Sequence, residues 1–396
     1  MKNLLLFLAV FFGLYSNAQS IFKTIQLLPD TGQVASYTTT FGEDNDYSIN
    51  SLSYQLNGDG TVTDLVTGLM WQQTDGGEMT IENAIAYCNS LTLGGYTDWR
   101  LPSPMESFSI LNQQNVNPAI STTYFTLTSA DYWWTNTFQF GDNSKVWVTN
   151  GGGGIGNHPK SETLSAGGVK KFHARAVRDV ITPSVLADPY TVNGDGTVTD
   201  NLTQLVWQQL PNSTALTWEQ ALVYAEELNF AGQTDWRLPN IKELQSLSDY
   251  SIANPSVNSV FFSAIGVHNY WSSTTLKPNS TNPASAWYWS TQFGITTYDL
   301  KSNLNYVLCV RGNPALLNHQ SVINSTKKIK VISNPFASNI IFDETETNLY
   351  CELYSISGQL YYSGTAIEKQ DFTSLAKGVY MLKIRGVIDA IKLIKE

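Results

Sequence analysis

Charged side chains are scarce. They make up 14% of the 396 residues, against about 25% in ordinary soluble domains. Acids outnumber bases, leaving a net charge of −10. That balance repels polyanions, so nucleic acid is excluded as a partner. Cysteine is nearly missing: Cys88, Cys309 and Cys351 are an odd count at wide spacing, which makes neither a disulfide scaffold nor a zinc cluster. There are four histidines, His158, His173, His268 and His319. No Ser–His–acid or Cys–His set recurs, and the expectation is a protein that is not an enzyme. Long apolar runs are also wanting. Leu4–Leu14 follows Lys2 and ends at Ser16-Asn17-Ala18. It falls short of the ~18 apolar residues a spanning helix needs and reads as a signal peptide over 1–18. The expectation is an exported chain, secreted or held at an outer-membrane cell surface, with no transmembrane segment.

What fills the gap is aromatic and small polar residues, arranged in a duplication. NGDGTVTDLVTGLMWQQ at 57–73 returns as NGDGTVTDNLTQLVWQQ at 193–209, with 13 of 17 positions identical. Asp98-Trp99-Arg100-Leu101-Pro102 returns as Asp235-Trp236-Arg237-Leu238-Pro239. Tyr132-Trp133 is matched to Tyr270-Trp271, Trp147 to Trp287 and Val177-Arg178 to Val310-Arg311. Order and spacing are kept, so a whole domain has been copied rather than a short solenoid repeat.

Each copy carries the same local signals. Asp59-Gly60 and Asp195-Gly196 are tight turns feeding the β-branched Thr-Val-Thr. An EF-hand register started at Asn57 puts Val62 at position six and Gly68 at position twelve, where the calcium loop needs Gly and Glu. Thr80 with Asn83 and Thr217 with Gln220 open a first helix. Ser103-Pro104 with Glu106, and Asn240 with Glu243, open a second. Short aromatic strands follow, so each unit reads as α+β, two helices and then an antiparallel sheet. The domain plan is a first unit with its lead-in at 19–180, a linker at 181–188, a second unit at 189–313, a linker at 314–328 and a tail at 329–396. The tail alternates apolar and polar residues with Gly turns, the pattern of a small all-β sandwich.

Gly-Leu-Met-Trp-Gln, Asp-Trp-Arg-Leu-Pro, Lys242-Glu243-Leu244, Tyr270-Trp271-Ser272-Ser273 and Cys309-Val310-Arg311 resemble the Lcl_C family, named for the C-terminal domain of a collagen-like bacterial adhesin. The lead-in, Leu28–Gln33 to Gly42–Tyr47, is similar too. The resemblance implies two tandem C-type-lectin-like domains and adhesion to a glycan or extracellular polymer. A structural envelope or matrix role is the alternative, with an exported enzyme behind it. The tail, with Ser333-Asn334-Pro335-Phe336 and Leu375–Ile384, resembles the type A sorting domain of the type IX secretion system. That implies a partnership of 329–396 with the secretion machinery and removal of the tail. The family pattern also pairs a helix cysteine with one in the closing strand. Here Cys88 meets Ala176 in one copy, and Ala225 meets Cys309 in the other, so neither copy can close its own bridge and free thiols are expected.

Candidate site residues are few. Glu43, Asp44 and Asp46 are the densest acidic group, a calcium candidate if not simply a solvated loop; no cofactor is otherwise required. Asp98-Trp99-Arg100 and its copy read as a buried Trp with a paired Arg pinning the next helix. Trp134, Trp218, Tyr288 and Trp289 have no aromatic counterpart in the matched copy. Exposed, they would stack on a sugar ring; buried, they are local core variation. Lys160, Lys170, Lys171, His173 and Arg175 form a local basic stretch, read as a solvated face.

Overall fold

The computed structural model describes residues 21–47, 49–115, 117–126, 132–160, 164–165, 168–169, 172–186, 188–277, 284–312, 331–342, 350–356, 358–384 and 391–396. The segment expected as a signal peptide, 1–18, the expected linker at 314–328 and the pair Lys170-Lys171 lie outside the described residues.

The first unit contains β1 (Tyr54–Leu56), β2 (Thr61–Asp64), β3 (Leu69–Gln72), α1 (Ile81–Ser90), α2 (Pro104–Ser109), β4 (Tyr132–Gln139), β5 (Asp142–Asn150), β6 (Ile155–Pro159), β7 (Phe172–His173) and β8 (Val177–Asp179). The second contains β9 (Tyr190–Val192), β10 (Thr197–Asp200), β11 (Val206–Gln208), α3 (Trp218–Glu227), α4 (Ile241–Ser246), β12 (Asn269–Thr275), β13 (Ser285–Ser290), β14 (Ile295–Leu300) and β15 (Val310–Arg311). The tail contains β16 (Tyr350–Ser355), β17 (Leu360–Thr365), β18 (Gly378–Ile384) and β19 (Ile391–Lys395).

The α+β expectation is corrected. The chain is mostly β, 35% strand against 12% helix. The helices were rightly placed but are short, ten residues each for α1 and α3 and six each for α2 and α4. They cap sheets rather than form a layer of their own. The tail is a four-stranded antiparallel sheet in the order β17-β16-β18-β19, and a second sheet facing it is not seen among the described residues.

The duplicated motif folds identically in both copies. Asp59 Oδ1 accepts from Thr61 N at 3.1 Å and Thr61 Oγ1 at 2.6 Å. Asp195 repeats this with Thr197 at 3.0 and 2.6 Å. Asn57 and Asn193 each donate to two threonine hydroxyls, at 2.8 and 3.0 Å in both copies. Gly60 and Gly196 take φ of +85° and +88°, the left-handed region that excludes most L residues. The motif is therefore a turn that starts a strand, β2 or β10, the centre of each unit's small sheet. These sheets run β8-β3-β2-β1 and β9-β10-β11-β15.

The larger sheet joins the units. Its order is β7-β4-β5-β6-β14-β13-β12, with β6 and β14 paired antiparallel at Ile155 and Thr296. The order β4-β5-β6-β14-β13-β12 maps onto itself under a two-fold axis between β6 and β14. One buried cluster crosses this seam, with Phe108, Leu111, Trp147 and Ile155 packed among Leu244, Tyr270, Trp287 and Trp289. Trp147 meets Tyr250 edge-on at 4.9 Å.

Hydrogen bonds expose a one-residue error in the sequence matching. Trp134 Nε1 donates to Met79 O, just before the α1 N-cap, at 2.8 Å. Trp271 Nε1 donates to Leu216 O, just before the α3 N-cap, at 2.9 Å. Thr135 Oγ1 bonds Trp147 O, as Ser272 Oγ bonds Trp287 O. Trp134 thus corresponds to Trp271, and Trp133 to Tyr270. The first copy has two adjacent tryptophans, and only the bonded carbonyl reveals which is equivalent.

Candidate functional site

The acidic trio lies in the interior. Thr31 and Thr274 hydroxyls donate to Asp44 Oδ2 at 2.7 and 2.6 Å. Gln33 Nε2 and the Thr275 hydroxyl donate to Glu43 Oε1, and Tyr37 N to Glu43 Oε2 at 2.6 Å. Asp46 accepts from Gly42 N at 3.1 Å, with Lys383 of the tail 3.8 Å away. Burial pushes Asp44 well above the usual carboxylate range and raises Glu43 and Asp46. These groups fix the lead-in against β12, and the donors to Glu43 and Asp44 are hydroxyls and amides. Among the described residues no cluster of three or more His, Cys, Asp or Glu is placed to hold a metal ion. Sequence grouped this lead-in with the first unit, yet its polar contacts reach mainly into the second: Thr274, Thr275, Lys242 and Glu226.

Lys242 is the most unusual of these. It is fully buried, and its Nζ donates to Asp30 O and Ser109 O, both at 2.8 Å. It bridges lead-in, first unit and second unit. Burial brings its pKa down to about 7 and pushes Asp30 up to about 6. The corresponding position in the first copy is Met105.

The Asp-Trp-Arg motif is structural in both copies. Arg100 makes a two-pronged pair with Glu106 at 2.7 and 2.9 Å. Arg237 does the same with Glu243, at 2.7 and 2.5 Å. Each Glu also caps its own helix, accepting from Ser103 N or Asn240 N. Asp98 and Asp235 instead hold the closing-strand Arg178 and Arg311. In the basic stretch, His173 and Arg175 are buried against Asp75, at 2.9 and 3.6 Å, and Lys160 pairs with Glu82 at 3.4 Å.

Of the aromatic candidates, Trp134, Trp218 and Trp289 are buried. Trp218 Nε1 donates to Ser272 O, and Lys301 Nζ lies 3.7 Å over its ring. Trp289 Nε1 donates to Ser248 Oγ at 2.8 Å. Tyr288 is half-buried and packs edge-on to Trp271. The structure does not bring the four together as a stacking platform; the buried three are core.

The concavity sits elsewhere, between the copies. A cleft of about 320 Å³ opens where the lead-in, the start of α2 and the end of α4 meet. Ile25, Leu28, Met105 and Leu202 supply its apolar wall, and Thr24, Thr203, Gln245, Ser246, Ser248 and Tyr250 its polar one. No lining side chain among the described residues is charged. Sequence reading missed this site because no single motif contains it.

The profile of the Lcl C-terminal domain matches residues 60–178 and 196–311. The chain belongs to the Lcl_C family. Both matched segments coincide with the structural copies, so the duplication of an Lcl_C domain is established, and the family is adhesin-like and extracellular. No curated protein matches the chain. Among the described residues no helix is long and apolar enough to cross a membrane.

Proposed function

We propose that this Lcl_C protein is exported and recognises a neutral glycan or matrix polymer at the cell surface or in the medium. The observation that carries the reading is the joining of two adhesin-type domains by one sheet, with an uncharged cleft at the seam. Small-molecule sites are concave, mainly apolar and trimmed with a few polar groups. The ionisable groups of the repeated motif are paired with one another, which favours recognition over catalysis. Calcium is dispensable in this reading, because Glu43 and Asp44 are held by protein donors. The tail is the proposed address for type IX secretion and is removed on export. A glycan array probed with the intact chain, with calcium and with a chelator, is expected to show neutral glycans bound equally in both conditions. A blank array would leave the structural matrix role, and intact mass of the secreted protein should lack 329–396.

A further inference from the structure

The geometry points to the seam cleft as the binding site for an uncharged, hydroxyl-rich molecule of one or two sugar rings, with Gln245 Oε1 as its central acceptor. The inference rests on the glycan reading and deepens it. Gln245 is fully buried, on α4. Its Nε2 lies 2.7 Å from Gly294 O, 2.7 Å from Tyr250 Oη and 3.0 Å from Ser248 Oγ, three acceptors for two N–H groups. A backbone carbonyl can only accept, so Gly294 O fixes which end of the amide is nitrogen. The carbonyl end, Oε1, is buried and has no partner among the described residues. A buried acceptor left without a donor is unfavourable, and a ligand hydroxyl would supply that donor.

The remaining polar wall has the same bias. Thr203 donates to Asp200 Oδ2, Ser246 to Glu243 O and Thr24 to Glu106. These hydroxyl protons are spent on the protein, so the oxygens offer acceptor capacity to the cleft. A complementary ligand must bring donors. It must also be neutral, since no charged side chain lines the cleft to compensate an ion removed from water. Hydroxyls on one edge and an apolar C–H face for Leu28, Met105 and Leu202 describe a pyranose. The volume is at the lower end of the roughly 300–1,000 Å³ of small-molecule sites, which limits the occupant to a short stretch of a polymer.

The test is saturation-transfer NMR on the full chain, with methyl hexosides and methyl N-acetylhexosaminides as probes and methyl uronates and glucosamine as charged controls. Leu202→Trp fills the cleft from its partly exposed rim; Gln245→Leu, checked for folding by circular dichroism, removes the acceptor. Neutral glycosides are expected to bind wild type and to lose at least about tenfold affinity in both variants, with the charged controls silent. Binding that survives L202W unchanged, or charged glycosides that bind as well as neutral ones, overturns the site. If array binding by wild type persists in L202W, the glycan reading stands and this site falls. If the array is blank while methyl glycosides still bind in an L202W-sensitive way, the site stands and the polymer reading falls. Neutral glycosides that bind neither form overturn the site.

Discussion

Lys242→Met tests the seam directly, because it installs the residue the first copy carries at the same place. A folded Lys242 gives up its proton near pH 7, whereas the unfolded side chain holds it to about 10.4. Between those values the unfolded state binds more protons, so stability rises with pH. The limiting slope is about 1.4 kcal/mol per pH unit. The usable window closes near pH 9, where the buried thiols, with Cys88 pushed up to about 12, begin to work in the opposite direction. From pH 7 to 9, with the folded group half-protonated at the start, the integrated gain is about 2 kcal/mol. Asp30, Asp44 and Asp64 surround the amine and remain in the variant; the amine lowers Asp30, so its loss lifts that acid and moves the comparison in the same direction. The variant loses the donor to Asp30 O and Ser109 O, a pH-independent offset. Urea unfolding at pH 7, 8 and 9 should show wild type gaining about 2 kcal/mol on K242M across the series. A difference between the two proteins that stays constant with pH would refute the buried-amine argument.

Other outcomes are equally specific. Ala176→Cys should bridge to Cys88, since both lie in one buried cluster, and raise stability by about 2–4 kcal/mol; Ala225→Cys should do the same with Cys309, and non-reducing mass spectrometry that finds only free thiols would defeat both. Glu243→Ala strands a fully enclosed Arg237 and should cost about 3–5 kcal/mol. Glu106→Ala should cost less by the same denaturation assay, because Arg100 is 29% exposed and keeps Asp179. Glu226 is raised to about 7 by burial, so its contribution is complete below pH 4.5 and fades as pH climbs through 7. Glu226→Gln should flatten that decline, and an unchanged pH profile would count against it.

The tail is less separate than its sequence suggests. Phe41 N donates to Ile356 O at 2.9 Å, and Lys392 Nζ sits 3.8 Å from the buried Glu226. At Gly358 a Cβ would come 2.1 Å from Thr39 O, so only glycine permits that approach. The tail's lysines reach two acids of the body, Lys383 lying 3.8 Å from Asp46 and Lys392 3.8 Å from Glu226.

Local chemistry was legible in the sequence and distant pairing was not. Ser103, Thr217 and Asn240 announce their helices because cap and N3 partner are three residues apart. The Arg–Glu pairs follow from the same short spacing. The burial of the acidic trio was not legible because its donors, Thr274 and Thr275, stand at separations of 230 and 232. A run of acids looks solvated until its donors are known. Trp133 and Trp134 were misassigned because adjacent residues on a strand face opposite ways, and only the carbonyl that each indole bonds shows which one points to the helix. The balance of helix and strand was misjudged because capping signals mark where a helix starts and say little about how soon it stops.

The seam between β6 and β14 has a consequence for how such a protein can diversify. Two identical subunits meeting on a two-fold axis would present every substitution near that axis twice, once from each side. Here the copies are one chain, so a position beside the axis can change alone. Lys242 stands where the first copy has Met105, so no second amine is there to repel it. Fusion thereby turns a symmetric junction into two unlike half-sites, each free to drift toward its own chemistry while the common sheet keeps them at a constant separation.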